Sequence, residues 1–193
     1  CGHDAPDPVD RTRAVPRQMD QQVPTWNRTV LDRTVRRALE QADPSRPVIS
    51  HSGVLPNPPR IDDAAGHLWF GWYSGRRGDL AGYVDRVGRA GRFVSAFGAQ
   101  SVPEESPALT DGTLDPDSWP AIDVDRLVND HGAEADVLLR RFPPADRSGP
   151  GEWAADTRRH QDRLLRIQIE ALRRRKYRPT GGFALDRLLD GAP

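Results

Sequence analysis

Histidines, acids and one aromatic row carry the chemistry available to this chain. Cys1, His3 and Asp4 stand together, His51 and His67 follow, and His67-Leu68-Trp69-Phe70-Gly71-Trp72-Tyr73 crowds rings into seven residues. The spacing of His3, His51 and His67 fits no standard metal motif, so no metal is expected. His51 and His67 read either as a histidine-based site or as hydrogen-bonded structural residues. Asp4 is a candidate carboxylate. Glu104 and Glu105 are a pair of acids that either swing into a site or stay solvated. Trp69 and Tyr73, four residues apart, share one face of an extended segment and Trp72 takes the other, so a ring-stacking platform competes with plain core packing. Trp26 and Trp153 read as packing residues. Arg173-Arg174-Arg175-Lys176 is a basic run at the predicted end of a helix, where cations suit the macrodipole; little aromatic interleaving supports nucleic-acid binding there.

Composition bounds the rest. The chain has 193 residues, with 28 Lys+Arg against 28 Asp+Glu. A balanced chain has no global field to draw it to nucleic acid or an anionic membrane. Mean hydropathy is −0.70. No apolar run of about 18 residues marks a transmembrane helix, and no signal peptide is visible. The single Cys1 forms no internal disulfide, so neither redox compartment nor localisation is legible. Lys176 is the one lysine among the basic residues.

Periodicity and punctuation set the elements that must hold these residues. Trp26–Ala42 reads as a helix, with Leu31, Val35, Ala38 and Leu39 on one face. Pro47–His51 reads as a short strand, and His67–Tyr73 as a buried strand. Asp79–Arg89 reads as a helix and Arg92–Phe97 as a strand stopped by Gly98. Ser101–Ala121 is a long Pro-punctuated loop, of a length that is functional or disordered. Asp123–Phe142 reads as a helix broken at His131-Gly132. Glu152–Lys176 is the strongest helix, with Leu165, Ile169 and Leu172 marking its buried face and Leu164 and Gln168 beside them. Phe183 starts a further strand or short helix. Strands mostly alternating with helices predict an α/β fold with a parallel sheet.

Six segments in order resemble the catalytic barrel of glycoside hydrolase family 2, nearest its β-mannosidase-like branch. They are Cys1-Gly2-His3-Asp4-Ala5-Pro6, Pro24-Thr25-Trp26-Asn27, Arg46–Gly53, His67–Tyr73, Arg92–Ser101 and Ile167–Arg174 with Lys176–Phe183. The resemblance covers nearly the whole chain. It implies the C-terminal half of a (β/α)8 TIM barrel, running from the end of the fourth strand to the eighth, as one incomplete domain over residues 1–193. Pro47–His51 would be the fifth strand, His67–Tyr73 the sixth, Arg92–Phe97 the seventh, and Phe183 would open the eighth. A whole barrel needs about 250 residues, so the N-terminal barrel half and the binding domains of a parent chain would be partners supplied from elsewhere.

The family's reaction needs two carboxylates, one protonating the leaving oxygen and one attacking the anomeric carbon, about 5 Å apart in a retaining enzyme. The resemblance puts the acid/base at residue 5 and the nucleophile at residue 96, and here both are alanine, Ala5 and Ala96. Asp4 stands where the family has an Asn on the sugar 2-hydroxyl, and Trp69 where it has a Tyr that steadies the nucleophile. Asp4, His51, His67 and Trp69 are the expected substrate-binding residues. The expected ligand is a β-mannoside or related glycan, with no cofactor, nucleic acid or membrane, and with hydrolysis lost. The alternative is a non-catalytic carbohydrate-binding pseudoenzyme or a decayed scaffold.

Overall fold

The computed structural model describes residues 26–46, 48 and 65–185. Helix α1, Trp26–Ala42, has the predicted bounds and ends where Asp43 accepts from the backbone and hydroxyl of Ser45. Its Val35 and Leu39 are half exposed. Apart from Val48, the predicted strand Pro47–His51 lies outside the described residues.

Three short strands form a parallel sheet in the order β1 (Ala65–Leu68), β2 (Phe93–Phe97), β3 (Gly182–Phe183). Helix α2 (Asp79–Arg86) and a 3-10 turn at Gly88–Gly91 connect the first pair. Between β2 and β3 come α3 (Val124–Asn129), α4 (Ala135–Arg141) and the 25-residue α5 (Pro150–Arg174). A parallel pair needs a crossover of this kind, usually helical. The predicted alternation of strands and helices is therefore present from Ala65 onward.

β1 is shorter than predicted. It stops at Leu68, and Phe70–Ser74 folds into a tight turn, with the amide of Gly71 donating to the Ser74 carbonyl at 2.8 Å. Gly71 is the reason. It sits at φ +79°, a conformation that costs a side-chain-bearing residue energy, and a Cβ there would lie 2.7 Å from Leu164 Cδ1.

One residue of β2 is extra. The register runs Gly66↔Val94 and then His67↔Ala96, which leaves Ser95 bulged. The consequence is visible in the packing. Val94 and Phe97 both enter the core beneath α2 and α5, with Leu68, Leu80, Val84, Ala171 and Leu172. Residues three apart on a regular strand face opposite ways; the bulge brings these two to one face.

A second core lies beyond the C-terminal ends of the strands, where Trp72, Val102, Leu114, Leu127, Leu138 and Trp153 pack together. α5 serves both cores, about 37 Å of helix contributing Trp153 and Leu164 to one and Ala171 and Leu172 to the other. Its start follows from Pro150 in the first turn, with Glu152 accepting from the amide and hydroxyl of Ser148. Its buried face is Leu164, Gln168, Ala171 and Leu172, with Leu165 and Ile169 only partly covered, a rotation of about one residue from the predicted face.

The long Ser101–Ala121 loop is ordered. Val102, Ala108 and Leu114 are buried plugs. Thr157 donates from its hydroxyl to Ala154 and accepts the Val102 amide at 3.0 Å. Asp111 braces the far end. Its carboxylate accepts the Thr113 amide at 2.8 Å and meets His131 Nε2 at 2.9 Å. The Thr113 bonds chiefly, helped by Arg126 and His131, bring its pKa down to about 2. The predicted break at His131-Gly132 separates α3 from α4, with Gly132 at φ +60°. No helix among the described residues is long and apolar enough to cross a membrane.

Candidate functional site

Ala96 is the pivot. It is the last residue but one of the central strand, is 2% exposed, and belongs to neither apolar cluster. Because the bulge turns Phe97 toward the helices, its neighbour Ala96 faces the opposite side of the sheet. His67 is its cross-strand partner, and His67 likewise faces away from the helix layer that holds Leu68. The strand ends thus bring together two of the sequence-predicted site residues. The third, Trp69, follows directly: its ring meets His67 edge-on at 6.4 Å, and Tyr73 meets Trp69 edge-on at 5.7 Å. His67, Trp69 and Tyr73 form a half-buried aromatic row that starts beside Ala96. Trp72 is 1% exposed and belongs to the second core, against which Trp69 and Tyr73 also pack, so the expected separation of Trp72 from the other two rings gives way to a turn in which all three border one cluster. Asp4, Ala5 and His51 lie outside the described residues. Glu104 and Glu105 are exposed on the loop.

The turn carrying this row is held from behind. Three consecutive carbonyls accept side-chain bonds: Phe70 from Gln168 Nε2 at 2.8 Å, Gly71 from His160 Nε2 at 3.1 Å, and Trp72 from Arg141 Nε at 2.6 Å. Because a carbonyl only accepts, His160 carries its proton on Nε2. Burial depresses the His160 pKa below 6.5, with Arg141 and Arg77 pushing the same way and the Gly71 bond opposing. Burial likewise lowers Arg141. From the front, Glu134 accepts the Trp72 indole N–H at 3.1 Å and the Tyr73 phenol proton, while its own amide donates to Gln100 Oε1 at 2.7 Å. Gln100 lies four residues beyond Ala96, so a chain of bonds links the end of β2 to the aromatic row.

These holding residues were not foreseen. Glu134, Arg141, His160 and Gln168 lie 61 to 98 residues from the partners they hold, and no local spacing marks such pairs. Among the described residues no group of three or more His, Cys, Asp or Glu side chains is placed to hold a metal ion.

The arrangement presents an apolar edge with hydrogen-bonding groups around it, the general make-up of a small-ligand site. At the strand end itself Ala96 has no proton to transfer and no oxygen to attack with. The chain matches no protein-family model, no curated protein and no solved structure.

Proposed function

We propose that this chain is the C-terminal half of a (β/α)8 barrel of the glycoside hydrolase family 2 kind, β-mannosidase-like, and that it holds a β-mannoside or related glycan without hydrolysing it. The observation that carries the reading is the placement of Ala96. The residue at the nucleophile position of the resemblance is the last but one of the central parallel strand, points away from the helices, and stands beside His67 and the Trp69–Tyr73 row. A ligand site at the C-terminal ends of parallel strands is the rule for barrels of this kind. The remaining half of the barrel, in this reading, is supplied by sequence outside these residues.

The loss of hydrolysis follows from chemistry. Without a carboxylate at residue 96 no glycosyl ester forms. Without one at residue 5 the leaving oxygen is not protonated, a loss of roughly 10²- to 10⁴-fold by itself. The ring row and the polar groups beside it need neither carboxylate.

The test uses the full-length protein. Calorimetry against manno-oligosaccharides is expected to show binding, with an aryl β-mannoside turned over no faster than in buffer. Turnover well above background overturns the inactivity, and absence of any glycan binding leaves only a scaffold. Restoring both carboxylates, Ala5→Glu with Ala96→Glu, is expected to bring back hydrolysis with retention.

A further inference from the structure

The site has one carboxylate in its described framework, and it is not where the family's reaction would want it. Glu134 is half-buried at the start of α4. Its two oxygens divide two donors: Oε2 takes the Trp72 indole N–H at 3.1 Å and Oε1 takes the Tyr73 phenol proton. Seven residues on, at the other end of the same short helix, Arg141 takes the Trp72 carbonyl. α4 therefore grips this dipeptide by its backbone and by both side-chain tips. Bonds to an ionised acceptor are the stronger kind, and these two leave neither ring free to swing about its χ angles.

We propose that Glu134 is a positioning residue of the glycan site: it holds Tyr73 by the phenol proton and Trp72 by the indole N–H, and so sets the angle at which the Tyr73 and Trp69 rings meet a sugar. The inference rests on the glycan-binding reading above. The bond also fixes the polarity of Tyr73. Its one proton is committed to the carboxylate. Trp69, which touches Tyr73 edge-on, depends on the same anchor one contact further out. Preset rings spare the ligand the cost of ordering them.

Glu134→Gln keeps size and one acceptor oxygen but removes the charge and cannot serve both donors. In the full-length protein it is expected to weaken mannotriose binding about 10-fold, the range for a lost bond to a charged group, with far-UV circular dichroism unchanged. Tyr73→Phe removes the same bond from the other side and is expected to give a similar loss. The double variant distinguishes positioning from general damage. If Glu134 acts through Tyr73, its substitution costs little more once the hydroxyl is gone, whereas independent structural effects add. Wild-type binding with Glu134→Gln unchanged, or fully additive losses, overturns this inference alone. No binding by the wild type overturns the glycan reading itself, and this inference with it.

Discussion

His160 shows how a single side chain can tie the turn to the pH. Its ring is held between Phe142, edge-on at 5.4 Å, and Trp72 at 6.4 Å, and its Nε2 proton goes to the Gly71 carbonyl. Folding keeps this imidazole neutral, because burial and the nearby Arg141 and Arg77 oppose a second positive charge. The unfolded chain accepts that proton near pH 6.5, so it binds more protons than the native state below that value. Stability attributable to His160 is therefore complete above about pH 6.5 and declines as the pH falls. His160→Gln retains a donor for Gly71 without a titrating ring. Thermal melts between pH 7 and pH 5 are expected to show the wild type losing more of its Tm than this variant; parallel curves would show that His160 does not carry the dependence. The protonated ring still donates to the carbonyl, so the loss is one of buried charge and not of the bond.

At the scale of elements, the turn after β1 and the helix behind it are one unit. Gly71→Ala forces a methyl to within 2.7 Å of Leu164 Cδ1 and 3.1 Å of Arg77 Cα at a positive φ. Leu164 is fully buried and has nowhere to retreat. The left-handed conformation and the overpacking together are expected to cost about 2 to 4 kcal/mol, read from the urea midpoint. Gly82, inside α2 with nothing within 4 Å of its missing Cβ, is the contrast: Gly82→Ala is expected to stabilise by up to about 1 kcal/mol. The sequence reading followed local signals and succeeded where those decide. α1 has its predicted bounds because its apolar period is unbroken, and α3 and α4 part at Gly132 because a glycine there accepts a positive φ. It missed the end of β1, since a run of large aromatics looks extended until one knows that Leu164 fills the space under Gly71. It also left the order of the Ser101–Ala121 loop open, because the bonds that fix it come from Arg126, Thr157 and Arg158, which stand well along the chain. Of the candidate site, the residues of the aromatic row were legible as candidates; the distant side chains that brace the row were not.

For the molecule as a whole, equal numbers of acids and bases leave little net field, and the arrangement of the charges agrees. In the basic run at the end of α5, Arg174 lies 3.2 Å from Glu170, and Arg175 makes a paired contact with Asp85 on α2 at 2.5 and 2.7 Å. Exposed pairs of this kind add little stability, but they cancel the charge that a polyanion would need. The chain is expected to pass through a heparin column unretained at physiological ionic strength. Retention that salt releases would reveal a basic surface that the net charge conceals.

The extra residue in β2 has a further meaning for what can be built here. Ser95 sets the direction in which residue 96 leaves the backbone, whatever that residue is. Any side chain installed at 96 by changing a single codon departs toward His67. Deleting Ser95 would leave residue 96 facing His67 in a regular ladder, whereas straightening the strand with Ser95 kept in register would turn the position into the helix layer. The strand fixes the address, and its occupant is a methyl group.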